Sequence, residues 1–333
     1  MSTRTNTADR IRWGILGTGA IAHQFARALN SLPDAEIAAV GSRSHAAADA
    51  FAREFGIPRA YGSYSRLAAD AGVDIVYIAT PHAMHRDNSA LCLEQGKAVL
   101  CEKPFAINRA QADDVIQLAR ARRLFVMEAM WTRFLPAVRK ATRWIAEGAI
   151  GDVRMVQASF GFRDDSPALF DPRLGGGSLL DVGVYPITLA HLAFGSSPDR
   201  IQSLATLGRN GVDEQAGILL GFPGGGIAVL SSAIQTETPQ DAYILGTAGK
   251  IQLHAPFWAA TRVSHVPEHG APETLDFPHS CNGYEYEAIE AQRCVREGRI
   301  ESELMPHDTT LKIMDTLDTL RRQWGLIYPM ETK

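Results

Sequence analysis

Cysteine is scarce in this chain. Its 333 residues hold four, Cys92, Cys101, Cys281 and Cys294, with no Cys-x-x-Cys pair and no metal-ligand spacing. That excludes a disulfide-stapled scaffold and a zinc ribbon, and leaves reduced, mostly buried thiols in a cytoplasmic setting as the plain reading. An excess of one charge is also missing. Lys and Arg number 33 against 37 Asp and Glu, a net −4 without any basic block, so nothing favours a nucleic acid or an anionic membrane as partner. No segment reads as long and apolar enough to span a bilayer. The opening "MSTRTNTADR" lacks the apolar stretch of a signal peptide and reads as a loose polar tail. Internal repeats and low-complexity tracts are absent.

What is present is an ordinary supply of core. The apolar share is 46% and the charged share 21%, which with this length favours two domains. Over the first third, short β-branched runs alternate with helical patterns. Strands are expected at 11–17, 36–42, 73–80, 97–102 and 124–129. Helices fall between them, one ending at Gly56 and one at Gly96. This alternation predicts a parallel sheet covered on both faces. After about residue 150 the pattern changes to long strands at 153–162, 217–235 and 241–256. Gly224-Gly225-Gly226 is expected to turn the middle run into a hairpin. Helices are expected at 284–298 and 307–324. The fold class is therefore α/β: a dinucleotide-binding domain over residues 1–130, then an α+β domain with a large, mostly antiparallel sheet over 131–333.

The stretch "GILGTGAIAHQF" sets Gly17-x-Gly19-x-x-Ala22 between a strand and a helix. Gly17 permits the tight turn, Gly19 lets the backbone approach a pyrophosphate, and the helix start beyond it offers free N–H groups. Gly17, Thr18, Gly19, Ala20 and Ile21 are thus cofactor-binding candidates in a Rossmann arrangement. A carboxylate after the second strand would hold the ribose hydroxyls of NAD. The chain has "GSRSH" there instead. Ser42 and Arg43 suit a 2′-phosphate, since a guanidinium matches phosphate in charge and fork geometry. NADP(H) is therefore expected in preference to NAD(H).

In an open parallel sheet ligands sit beyond the carboxyl ends of the strands. Three polar stretches lie on that rim: "ATPHAMH" (79–85), "CEKP" (101–104) and "MEAMWTRF" (127–134). Lys103, at a strand end, is placed to orient a substrate hydroxyl and to favour the ionised form of a neighbouring acid. Pro104 fixes the chain direction just after it. Taken alone, the triplet would be only a surface ion pair at a turn.

Together, "GILGTGAIA", "ATPHAMH", "CEKP" and "GGGSLLDVGVYP" (175–186) resemble the Gfo/Idh/MocA oxidoreductase family. More narrowly, they resemble its dimeric dihydrodiol dehydrogenase and NADP-dependent D-xylose dehydrogenase branch. The similarity runs from about residue 11 to "GLIYP" (325–329). It implies an open-faced second sheet that commonly forms a homodimer interface, and it places the family's lysine on Lys103. The family's Asp-x-Gly-x-His pattern falls on Asp181-x-Gly183-x-Tyr185, with tyrosine in place of histidine, as in that branch. The proton-transfer role then moves to Tyr185. An unperturbed phenol titrates near 10 and needs a nearby cation to act as a base at neutral pH. Lys103 is that candidate. Asp181 would hold a second substrate hydroxyl or orient the tyrosine. A spacing of four puts Asp181 and Tyr185 on one face if the segment is helical, though Pro186 must then fall in or near the first turn.

The remaining signals are softer. His82 and His85 sit three apart without a third ligand, which favours helix capping or cofactor contact for His85 and no metal. Thr80, Pro81 and Glu102 line the expected cofactor cleft. Trp131 and Arg133 fit substrate and cofactor contacts, or equally a core aromatic and a surface base. Phe160, Phe162 and Arg163 point to the substrate side. Cys101 adjoins the turn, but nucleophilicity would need a lowered pKa. The function expected is hydride exchange between NADP(H) and a secondary alcohol or carbonyl of a cyclic diol, sugar or dicarbonyl. The alternatives are a non-catalytic NADP(H)-sensing regulator and, less favoured, a glycosidase using bound NAD.

Overall fold

The computed structural model describes residues 10–332; the expected tail lies outside them but for Arg10. The chain separates into two compact units. The first comprises the chain up to Ala106, Ala110–Trp131 and His279–His307, and the second Ile107–Arg109, Thr132–Pro278 and the chain from Asp308 onward.

The first unit alternates strand and helix. Its elements are β1 (Ile11–Leu16), α1 (Ala20–Asn30), β2 (Ala35–Gly41), α2 (His45–Phe55), β3 (Arg59–Tyr61), α3 (Tyr64–Ala68), β4 (Ile75–Ile78), α4 (His85–Glu94), β5 (Ala98–Glu102), α5 (Arg109–Arg122) and β6 (Val126–Ala129). The six strands run parallel in the order β3-β2-β1-β4-β5-β6. That order reverses between β1 and β4, where a doubly wound sheet opens its ligand crevice. Buried Ala22, Phe25, Ala26 and Leu29 give α1 one apolar stripe, and Phe25 stacks on Tyr77 of β4 at 3.7 Å between centroids. Ser44 caps α2 by accepting the Ala47 N–H, and Gly56 ends it at φ 68°.

The second unit contains α6 (Pro136–Ala146), β7 (Val153–Gly161), α7 (Val184–Phe194), β8 (Arg200–Leu207), β9 (Asp213–Gly221), β10 (Ile227–Ala233), β11 (Ala242–Gly246), β12 (Gly249–Leu253), β13 (Arg262–Pro267) and β14 (Glu273–Asp276). They form an eight-stranded sheet ordered β14-β13-β12-β11-β7-β10-β9-β8. Every pairing is antiparallel except β7 with β10. The glycine run does join β9 to β10 as a hairpin. Along β9 buried and exposed residues alternate, so only one face of the sheet is covered. The other face shows Leu204 at 84% and Leu219 at 47% exposure, beside Ile227 and Val229.

Three expectations need correction. The long strand over 241–256 is a hairpin, β11 to β12, turning at Thr247-Ala248. Pro172–Phe194 is, by length and composition, apolar enough to cross a membrane; its most apolar 18 residues are 83% buried, as in the core helix of a folded unit. The domain boundary also fails as a single cut. Residues 279–307, which carry α8 (Glu285–Arg296), return to the first unit. Ala288, Ala291 and Cys294 give α8 a buried stripe, Arg296 binds Asp34 at 2.6 Å, and the Val126 N–H donates to the Ile300 carbonyl beside β6. The last helix, α9 (His307–Trp324), stops at Gly325 as expected and belongs to the second unit.

Candidate functional site

In the first unit the loop after β1 is a cradle for phosphate. Gly17 sits at φ 111°, and a Cβ there would lie 2.5 Å from the Ala79 carbonyl, so only glycine lets the loop after β1 pass so close to the end of β4. A Cβ on Gly19 would meet nothing within 4 Å. Gly19 is the N-cap of α1, no side chain caps it, and no acid stands in the first turn. Thr18, Ala20 and Ile21 therefore surround a helix start with open space and uncapped N–H groups, which suits a pyrophosphate. Beyond β2, Ser42 is buried within 3.5 Å of the Thr18 hydroxyl, and Arg43 is exposed beside the phenol of Tyr64. These residues fit a dinucleotide.

The loop after β4 and the Glu-Lys-Pro turn are braced together. His85 is buried, with Nδ1 2.8 Å from the Pro104 carbonyl and Nε2 2.8 Å from the Thr80 carbonyl. Burial beside His82 and Lys103 pushes it down to about 3. A neutral ring carries one N–H and donates to one of those carbonyls at a time. The Thr80 hydroxyl accepts from Asn88 at 3.0 Å, and Pro81 starts the short turn that leads into α4. Glu128 of β6 accepts the Phe105 N–H at 3.1 Å. Glu102 is 5% exposed; its Oε1 accepts the Tyr77 phenol and its Oε2 the Lys103 N–H at 3.2 Å. Lys103 itself is only half-buried. The turn thus hangs on three inward-facing groups that leave the lysine side chain at the rim. Cys101 is buried and its thiol is pushed well above its ordinary range by burial, which removes it as a nucleophile. Trp131 is buried and stacks on Tyr284 at 4.2 Å, in contact range of the glycine turn at Gly283.

In the second unit a continuous helical run carries Asp181 and Tyr185. Leu179–Gly183 forms one π turn and leads directly into α7. The wider turn accommodates Pro186, which has no N–H to return to residue 182. Beneath this run lies Asp213, buried at the start of β9. Its Oδ2 accepts the Ser178 hydroxyl at 2.8 Å and the Leu179 N–H at 2.6 Å, so it caps the run from a distant strand. Burial pushes it up to about 7. Gly177, at φ 118°, leaves room for that carboxyl where a Cβ would collide with Oδ1.

Tyr185 is 6% exposed and sits in an aromatic wall. Phe160 lies 5.4 Å from it and Trp258 6.3 Å, and those two rings stack at 4.7 Å and 3°. Phe162 adjoins Phe160 at 6.1 Å. Arg163 bridges to Gln235 at the end of β7's extension. Arg133 borders a separate cavity of about 190 Å³ with His191 and Lys312. Such a wall suits the flat face of a ring substrate. Trp258, Asp213 and, in the first unit, Glu287 are the residues that sequence reasoning missed. A signal existed for Trp258 alone, in the paired aromatics of "PFWAA". Among the described residues no group of three or more His, Cys, Asp or Glu could hold a metal.

Comparison with known proteins agrees with this geometry. Residues 11–130 match the model described as "Oxidoreductase family, NAD-binding Rossmann fold", and residues 138–252 match the GFO/IDH/MocA C-terminal domain. The chain is 38% identical over 335 residues to trans-1,2-dihydrobenzene-1,2-diol dehydrogenase of Danio rerio and 36% identical over 332 residues to that of Homo sapiens. Each match covers 97% of this chain and 99% of the relative. Among solved structures, KijD10, a 3-ketoreductase from Actinomadura kijaniata in complex with NADP and TDP-benzene, superposes with a TM-score of 0.83. It is 27% identical, and the match covers 94% of this chain and 97% of that one. Aldose-aldose oxidoreductase from Caulobacter crescentus, 24% identical with a TM-score of 0.87 over 95% and 98% of the chains, shares the fold.

Proposed function

The chain belongs to the Gfo/Idh/MocA oxidoreductase family, and from that premise we propose an NADP(H)-dependent dehydrogenase of secondary alcohols on cyclic diols or sugars, or of the matching dicarbonyls. The observation that carries this is the 36–38% identity to trans-dihydrodiol dehydrogenases over 97% of the chain. The aromatic wall around Tyr185 supports a ring-shaped substrate, and Ser42 with Arg43 supports the 2′-phosphate of NADP.

The dinucleotide, when bound, supplies hydride exchange at its nicotinamide. Gly17 to Ile21 would hold its pyrophosphate, while Ser42 and Arg43 would hold its ribose phosphate. Thr80, Pro81, His85 and Glu102 would shape the crevice, whereas Arg133 borders a cavity of its own in the second unit. In the oxidative direction Tyr185 takes the substrate hydroxyl proton at its phenolate oxygen. Lys103 would supply an ammonium to the charge that develops on the reacting oxygen. Asp181 fixes a second substrate hydroxyl, and Trp131, Phe160 and Arg163 bound the substrate.

A cytoplasmic setting is part of the proposal, since a reducing compartment keeps thiols such as the four cysteines free. The bare apolar face of Leu204, Leu219, Ile227 and Val229 suits pairing with a second copy into a homodimer. The test is a panel of dihydrodiols, aldoses, anhydrosugars and dicarbonyls with NADP+ or NADPH, followed at the nicotinamide absorbance. Steady turnover of a cyclic diol or aldose, faster with NADP+ than with NAD+, is expected. Tight NADPH binding without turnover of any member would overturn the reading in favour of a sensing regulator.

A further inference from the structure

A second acid lies behind the Glu-Lys-Pro turn, and the chemistry above does not use it. Glu287, in the first turn of α8, is fully buried, and neither of its carboxyl oxygens has a hydrogen-bond partner. The charge it faces most strongly is that of Glu102. Both oxygens of Glu102 accept, one from the Tyr77 phenol and one from the Lys103 N–H. Two donors on two oxygens hold Glu102 in its ionised form.

The neighbouring elements leave Glu287 no such help. Tyr77 on β4 is engaged with Glu102, and burial together with both glutamates holds its phenol protonated. Tyr284 on α8 is stacked on Trp131. Glu285 on α8 is spent on the Ser280 hydroxyl and the N–H groups of Cys281, Asn282 and Gly283. On β6, Glu128 takes the Phe105 N–H. The helix packed on α8, α1, carries His23 and Arg27, both paired with Glu54. Lys103 is the cation of the turn and lies next to Glu102 in the chain. Burial and Glu102 are what act on Glu287, with no cation among them, and facing carboxylates do not both ionise in a dry interior without one. Glu287, the one lacking donors, keeps the proton, and burial and Glu102 push it well above the ordinary carboxyl range.

We propose that Glu287 is a positioning residue of the Glu-Lys-Pro turn, a buried neutral acid whose proton leaves Glu102 as the ionised group that fixes Lys103. Ionising Glu287 would set two like charges behind the turn and pull Glu102 from Tyr77 or from the Lys103 backbone. The inference rests on reading Lys103 as part of the reaction site.

The test compares the full native chain with Glu287→Gln and Glu287→Ala. Infrared difference spectra at neutral pH should show the carbonyl stretch of a protonated carboxylic acid in the native chain that Glu287→Gln lacks. Melting temperature supplies a second reading without turnover. A proton kept by the folded state and released by the unfolded one costs stability as pH rises above the ordinary glutamate value. The native chain should therefore fall progressively below Glu287→Gln as the medium becomes alkaline. In kinetics, Glu287→Ala should lower kcat by about 10²-fold at unchanged KM for NADPH. Glu287→Gln should restore most of it. No protonated-acid band, or parallel melting of the native chain and Glu287→Gln at all pH, would overturn the proposal even if no substrate is found. So would a Glu287→Gln enzyme as impaired as Glu287→Ala.

Discussion

The two units mount the residues proposed to react, Lys103 and Tyr185, in contrasting ways. Lys103 stands at a strand end, on a turn hung from Glu102, Glu128 and His85. Tyr185 stands in a helical run whose first turn is capped by Asp213 from another strand. Both mounts place a buried acid out of solvent behind the working residue. The acids differ in what they hold. Glu102 accepts from two donors, one on each oxygen, and is the anion of the proposal above. Asp213 takes both donors on Oδ2, leaving Oδ1 without a partner, and so has a place for a proton. A carboxylate can brace a loop in either state; the distribution of donors over its oxygens decides which.

The comparison breaks most visibly at the working residues themselves. Lys103→Met and Tyr185→Phe should each lower kcat by about 10²–10⁴-fold while NADPH still binds, as read by quenching of protein fluorescence. Near-normal turnover in both would separate the mounts from the chemistry.

A smaller effect tests Asp213. Its folded pKa, about 7, lies above the ordinary 3.8, so the native state keeps a proton that the unfolded chain has lost. The contribution of Asp213 to stability should then be greatest below pH ~4, fall by up to about 4 kcal/mol as pH rises to ~7, and stay level above that, whatever slope the other carboxylates add. Asp213→Asn keeps an acceptor for Ser178 and Leu179 without a titrating group. Denaturation midpoints against pH should lose that slope in the variant. Equal slopes in both chains would show that Asp213 braces its helix as an anion, like Glu102.

The smallest effect lies outside both mounts. Arg43→Ala should weaken NADPH binding by about tenfold or somewhat more, the worth of one charge-assisted contact, and leave NADH unchanged. Equal loss for both cofactors would move the 2′-phosphate contact elsewhere.

Much of this was legible from residue order, because local rules carry it. The alternation of strand and helix, the stop at Gly56, the hairpin at Gly224-Gly225-Gly226 and the rim position of Lys103 follow from periodicity and turn chemistry within a few residues. The rest depends on contacts distant in sequence. Nothing in "YEYEAIEA" distinguishes Glu287 from the solvated acids of an amphipathic helix; its burial follows only when α8 packs on the first unit. Asp213 opens a strand, where a turn acid is unremarkable, until residues 178–179 come to rest on it. The break at Thr247-Ala248 was hidden because apolar alternation continues on either side of it, though Gly246 and Gly249 flank the turn.

The return of residues 279–307 to the first unit has a consequence for inheritance. The nucleotide-binding half of this molecule is not encoded by a contiguous stretch of gene. A crossover near codon 130 would deliver the glycine loop and the lysine without Glu287, and without the backbone acceptor that Val126 finds at Ile300. Exchange of the first unit for a foreign counterpart would therefore need three breakpoints in register, near residues 131, 278 and 307. Inheritance of both units together is the simpler route that this chain path leaves open.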